Sequence, residues 1–139
     1  MDRSEIKTIL PHREPMLLID SVELDAEGVA HAQVKIPEDP FYCQGHFPGN
    51  PVVPGVILCE MMAQSCFALF PEAFEENLLV YRGLDQVRFR GIVRPGDVCE
   101  VQARLLEHKA SLYECDCCVL AGGKRVAQAR ITLAAVPKR

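Results

Sequence analysis

Long apolar runs are absent: the longest, Val52 to Leu58, is broken by Pro54 and is too short to cross a bilayer. Met1-Asp2-Arg3-Ser4-Glu5 carries acids and leads into no apolar h-region, so neither a signal peptide nor membrane insertion is expected. Internal repeats and low-complexity tracts are missing. So are a Gly-x-Ser-x-Gly elbow, a phosphate-binding glycine loop and a dinucleotide fingerprint, which removes several large enzyme classes. Basic clusters are lacking too: 15 Lys and Arg stand scattered among 19 Asp and Glu, for a net charge of −4. That balance argues against a nucleic-acid or anionic-membrane partner. The 7 cysteines are odd in number and irregular in spacing, which does not suit a secreted disulfide framework. A reducing compartment, the cytoplasm, is the expected location.

What is present fits one domain over residues 1–139, with 49% hydrophobic residues. A chain of this size buries roughly two-thirds of its extended surface, so packing suffices without a disulfide or structural metal. Residues 4–10 predict a short helix capped by Ser4 and stopped by Pro11. Residues 16–24 and 29–36 predict two strands of a hairpin, since Val29, His31, Gln33 and Lys35 alternate with Ala30, Ala32, Val34 and Ile36. From Pro37 to Pro54, five prolines and two glycines predict a long structured loop, a form that is usually functional.

Pro54 then suits the first position of a helix reaching about Phe70, apolar enough to be buried nearly all round. Four further strands are expected over residues 78–90, 97–107, 111–121 and 124–136. One apolar helix among about six antiparallel strands predicts an α+β fold, a curved sheet wrapped around that helix. Its sheet edges would be covered by pairing with a second copy.

Two residues sit oddly in their settings. His46 lies in the turn Gly45-His46-Phe47-Pro48-Gly49, and Glu60 follows in the apolar helix. Imidazole exchanges protons near neutrality, although a histidine in a surface loop ordinarily does nothing. Carboxylates are rarely buried unless paired or functional, and burial would make Glu60 a protonated acid; the alternative is a carboxylate facing solvent or an interface. Gln64, one turn on, is placed to orient Glu60 or to serve as an interface amide. Gly55 offers a backbone N–H at the positive end of the helix for an oxygen gaining charge, or merely opens the helix. Cys115-Asp116-Cys117-Cys118 contains C-x-x-C, but positions three apart on a strand face opposite ways, so no metal site is expected there.

Three stretches carry a family likeness: Leu10-Pro11-His12-Arg13-Glu14-Pro15-Met16-Leu17-Leu18-Ile19-Asp20, then residues 45–56, Gly45-His46-Phe47-Pro48-Gly49-Asn50-Pro51-Val52-Val53-Pro54-Gly55-Val56, then Glu60-Met61-Met62-Ala63-Gln64. The sequence resembles the 3-hydroxyacyl-acyl-carrier-protein dehydratases of the FabZ type, and the likeness continues through Gly83-Leu84-Asp85, Val87-Arg88-Phe89 and Val93-Arg94-Pro95-Gly96-Asp97. The resemblance implies a hot dog fold and a homodimer that can assemble into a hexamer, a trimer of dimers. It implies dehydration of (3R)-hydroxyacyl to trans-2-enoyl thioesters, carried on the phosphopantetheine of an acyl carrier protein, without metal or other cofactor. It also implies His46 and Glu60 as catalytic residues contributed by different protomers, and Gly55 as the group that meets the thioester oxygen.

Phe47, Val53, Val56, Phe67 and Phe89 are candidates for the acyl tunnel. Arg82, Arg88, Arg90, Arg94 and Lys109 are candidates for docking an acidic carrier protein, on position and charge. The sequence departs from the family pattern in one extra residue before Gly45-His46-Phe47, in Val80-Tyr81 where an aromatic pair is common, and in Ser21 where arginine is usual. Two other readings stand beside the dehydratase: a hot dog thioesterase, in which a carboxylate activates water, and a non-catalytic acyl-chain binder.

Overall fold

A computed structural model describes all residues 1–139. The first helix, α1 (Arg3–Ile6), begins and ends earlier than the sequence predicts, and Asp2 rather than Ser4 caps it. Asp2 Oδ1 accepts from the Glu5 N–H at 2.9 Å and Glu5 Oε1 accepts from the Asp2 N–H at 3.3 Å. This reciprocal box satisfies two donors that Ser4, inside the turn, has no geometry to serve.

The hairpin forms from β1 (Ser21–Leu24) and β2 (Ala30–Lys35). Its turn is closed by Asp25 Oδ1, which accepts from the Glu27 and Val29 N–H groups. Residues 16–20 do not extend β1, contrary to expectation, because side chains claim much of their backbone. Arg3 donates to the Leu17 carbonyl at 2.6 Å and Gln64 takes the Leu18 N–H at 3.0 Å and the Met16 carbonyl at 2.7 Å.

Within the proline-rich segment only Phe41–Cys43 forms a helical turn. The central helix α2 spans Gly55–Ser65 with Pro54 as its N-cap, and then tightens into a 3₁₀ turn over Cys66–Leu69. It therefore stops short of Phe70 as an α-helix. Ser65 Oγ and Cys66 Sγ hydrogen-bond the carbonyls of Met61 and Met62, drawing the last turn inward.

The remaining strands are β3 (Asn77–Phe89), β4 (Val98–Lys109), β5 (Leu112–Ala121) and β6 (Lys124–Pro137). With β1 and β2 they form one antiparallel sheet in the order β1-β2-β4-β5-β6-β3. The sheet wraps α2, burying Met61, Met62, Cys66 and Phe67 completely. Each large side chain so buried contributes about 1.5–3 kcal/mol. The helix is not buried all round, since Val56 in its first turn is 75% exposed. No helix is long and apolar enough to cross a membrane.

The edge strand β3 pairs only with β6 and carries exposed Leu78, Val80, Tyr81, Leu84 and Phe89. Its register shifts between Tyr81 and Gly83 and again between Asp85 and Arg88. All seven cysteines are free thiols and buried.

Candidate active site

The loop holding His46 is closed by its own backbone. The Val52 N–H donates to the His46 carbonyl at 2.8 Å, while Phe47 and Asn50 exchange both of their N–H···O bonds. Gly49 takes φ +71°, the left-handed region where a side chain would be strained. The loop is anchored from outside by the Val53 N–H on the Val93 carbonyl and by Arg94 Nη1 on Asn50 Oδ1 at 2.8 Å and the Pro51 carbonyl at 3.3 Å.

In this frame His46 Nδ1 lies 2.9 Å from the Val52 carbonyl oxygen. A carbonyl can only accept, so Nδ1 carries the hydrogen and Nε2 keeps a free lone pair. The half-buried imidazole stacks on Phe47 with ring centres 4.1 Å apart.

Glu60 projects from the middle of α2 with only 18% of its side chain exposed. Its Oε1 accepts from the Tyr81 hydroxyl at 3.0 Å, and its Oε2 accepts from Gln64 Nε2 at 2.9 Å and lies 3.5 Å from His12 Nε2. Burial pushes its pKa up, but donors on His12, Gln64 and Tyr81 together outweigh that and hold the carboxyl below its ordinary range. This corrects the expectation of a protonated Glu60, which counted burial and not the donors. Burial beside the same carboxylate pushes the Tyr81 phenol far up. Gln64, almost wholly buried, is itself held by Met16 and Leu18, so it presents its amide to Glu60 in a set orientation.

Gly55 opens α2 with Pro54 before it, and neither its N–H nor that of Val56 has a backbone acceptor. A Cβ on residue 55 would stand 2.9 Å from the tip of the Phe89 ring, so a side chain there requires that ring to move. No hydrogen bond or ion pair joins His46 to Glu60 within the chain: His46 bonds Val52, and Glu60 bonds Gln64 and Tyr81 and faces His12. Glu60 instead lines a cavity of about 40 Å³ with Leu10, His12, Gln64, Leu79 and Tyr81.

The other candidates scatter. Phe47, Val56 and Phe89 are exposed, Val53 is buried, and Phe67 sits in the core edge-to-face against Phe74. Phe67 is therefore a packing residue in this chain, because the helix turns it toward the sheet. Among the cations, Arg82, Arg88 and Arg90 are exposed on or just beyond β3. Arg94 is occupied by the His46 loop, a structural task that spacing could not reveal. Lys109 ends β4 at the Lys109–Leu112 pair, whereas Arg88 lies level with Gln102 through Gln128 and Cys118. Seven residues of strand separate those levels, about 23 Å, and Arg82, beside Tyr81 at the level of His108 through Leu133 and Tyr113, stands near the Lys109 end, so the cations do not form one patch and Arg88 lies apart from both.

His12 and Tyr81 were not among the sequence candidates. Strand alternation puts Tyr81 on the same face as Leu79, toward α2, and was the signal available for it. His12 offered only its place between Pro11 and Arg13.

A model of the FabA-like domain matches residues 10–130. The 3-hydroxyacyl-[acyl-carrier-protein] dehydratase FabZ of Enterococcus faecalis is 42% identical over 135 residues, covering 93% of this chain and 94% of the relative. The dehydratase of the same name from Pseudothermotoga lettingae is 37% identical over 131 residues, with 94% of each chain covered. Among solved structures, the dehydratase heterocomplex ApeI:P from Xenorhabdus doucetiae superposes with TM-score 0.80 at 23% identity, over 96% of this chain and 91% of that one. A hypothetical thioesterase from Streptococcus pneumoniae superposes at 0.61 and 13% identity, over 86% and 90% of the two chains. The last two show a shared hot dog fold, and the full-length similarity to the dehydratases shows more: the chain belongs to the FabZ-type 3-hydroxyacyl-[acyl-carrier-protein] dehydratases, within the FabA-like domain family.

Proposed function

We propose that this chain dehydrates (3R)-3-hydroxyacyl chains, held as phosphopantetheine thioesters on an acyl carrier protein, to trans-2-enoyl thioesters in cytoplasmic fatty acid biosynthesis. The observation that carries the reading is the fixed tautomer of His46, whose Nε2 is a base on a braced loop. Nε2 takes the C2 proton, and the C2–H electrons move toward the thioester carbonyl. The oxygen that gains charge is met by the Gly55 N–H at the positive end of α2. As the carbonyl re-forms, the C2=C3 bond forms and the C3–O bond breaks. The leaving hydroxyl collects the proton held on the imidazolium and departs as water, which returns His46 to its starting state. Ionised Glu60, oriented by Gln64, accepts a hydrogen bond from the 3-hydroxyl and fixes it for departure. No step calls for a metal or an organic cofactor.

His46 and Glu60 share no hydrogen bond or ion pair within one chain, which supports a site that takes one of them from each protomer of a homodimer. The open edge of β3, with its exposed apolar side chains, supports pairing with a second copy. Three such dimers make a hexamer. Phe47, Val53, Val56 and Phe89 wall the acyl channel, and Arg88 and Arg90, two residues apart at the end of β3, receive the acidic carrier protein.

The test is incubation with 3-hydroxyacyl carrier proteins of several chain lengths, followed by mass spectrometry, on the unmutated chain and on His46→Ala. Loss of water that falls at least about a hundredfold in the variant supports the reading. Loss of the acyl group indicates a thioesterase, and an unchanged substrate indicates a binder.

A further inference from the structure

We infer that Tyr81 is a positioning residue for the dehydration, its phenol holding the Glu60 carboxylate from the β3 side. The inference rests on the reading that Glu60 acts in that reaction.

Three separate elements converge on Glu60: Gln64 from α2, His12 from the segment after α1, and Tyr81 from β3. Their duties differ. Gln64 and His12 both address Oε2, whereas the Tyr81 hydroxyl is the sole protein donor to Oε1. Without it, Oε1 keeps an open lone pair and the carboxylate is free to turn about its last bond. A carboxylate meant to fix a substrate hydroxyl gains from having that rotation removed before substrate arrives.

The fold places Tyr81 for this task. Leu79 and Tyr81, two apart on β3, line the same small cavity, and Tyr81 reaches Glu60 there while 43% of its surface stays exposed. Tyr81 pairs with Leu133 immediately before a register shift in the strand. Phenylalanine would take the same place at the cavity without supplying a donor, so the hydroxyl is separable from the packing. The other groups facing Glu60 are His12, the only one able to carry charge opposite to it, Gln64, and the neutral thiol of neighbouring Cys59.

The experiment compares Tyr81→Phe with the unmutated chain for kcat, KM, the pH dependence of kcat/KM, and titration of ¹³C-labelled glutamate carboxyls, with Glu60→Gln to assign the Glu60 signal. The expected result is a kcat about tenfold lower with KM within about twofold, the scale of one hydrogen bond to a charged acceptor. The acidic limb of the profile and the Glu60 titration should both move to higher pH, because a donor that favours the ionised form is gone. In a Glu60→Gln background, Tyr81→Phe should have no further effect. An unchanged kcat with an unmoved limb overturns the inference, and so do losses that simply multiply in the double variant.

If Tyr81→Phe fails to fold, difluorotyrosine placed at residue 81 keeps the ring and strengthens the donor. The Glu60 titration must then move to lower pH, and a stationary signal overturns the inference. Absence of enoyl product from the unmutated chain would instead strike the dehydratase reading. The carboxyl titration needs no turnover and decides the Tyr81–Glu60 coupling on its own.

Discussion

The tip of the Phe89 ring lies over Gly55, so close that a Cβ on residue 55 would stand 2.9 Å from Phe89 Cζ. The ring is half exposed and hinged at its far end, so it can swing aside when a methyl group arrives. Gly55→Ala should therefore fold, with a melting temperature lower by about 2 °C, while turnover falls about tenfold as the ring is pushed across the start of α2. Calorimetry and the enoyl assay check the two halves. Turnover equal to that of the unmutated chain would remove Gly55 from the site.

Arg94 and Arg88 should separate by substrate. Arg94 braces Asn50 and Pro51 in the His46 loop, so Arg94→Ala should slow a carrier-protein substrate and a minimal pantetheine substrate alike. Arg88 makes only a bond to its neighbour Val87, so Arg88→Glu should slow the carrier-protein substrate alone, with a loss that shrinks as salt rises above about 0.1 M. Rates on both substrates at two salt concentrations decide it.

Sharing of the site between protomers has a numerical signature. His46→Ala and Glu60→Gln chains, each nearly inactive, are unfolded together and refolded. Random pairing makes half of the dimers mixed and each mixed dimer rebuilds one site of two, so activity should return to about a quarter of the unmutated level. Activity that stays at the level of the separate variants, with mixed dimers demonstrated by mass, would place both residues in one chain's site.

Far from the site, His31 should make stability depend on pH. Its Nε2 lies 2.8 Å from Asp25 Oδ2 and its Nδ1 3.4 Å from Glu100 Oε1, and the Asp25 bond leads in raising its pKa above 6.5. A raised folded pKa gives stability that is fully present below the unfolded value, and that is lost as pH rises through the folded value. Melting temperature should thus fall from about pH 6.5 upward by about 2 °C, a drop that His31→Gln abolishes. A variant with the same pH slope as the unmutated chain would refute this.

Much of the fold was legible because it follows from local periodicity. The four long strands lie within two residues of their expected bounds, since alternation and turn residues mark them independently of tertiary context. Where distant side chains take backbone groups, sequence reading failed. Residues 16–20 look like strand but are held by Arg3 and Gln64, and α2 ends early under the hydroxyl and thiol of Ser65 and Cys66.

The candidate site divides in the same way. His46, Glu60 and Gln64 stood out by motif and spacing, whereas Tyr81 lies 21 residues from Glu60 and His12 lies 48 away, contacts that only the wrapped sheet creates. The ionisation of Glu60 escapes the sequence for that reason, because two of its three donors, His12 and Tyr81, arrive from elements that no local pattern joins to α2.

The seven buried thiols give the folded chain a chemical silence that is useful in itself. A thiol-modifying reagent can react only with molecules that have opened, so each added mass records one excursion from the native state. Cys43 lies in the loop leading to His46, whereas Cys66 and Cys117 face each other at 3.6 Å between the helix end and the sheet. Early labelling at the first and late labelling at the pair would time the breathing of the loop apart from the opening of the whole fold, with no probe added to the protein.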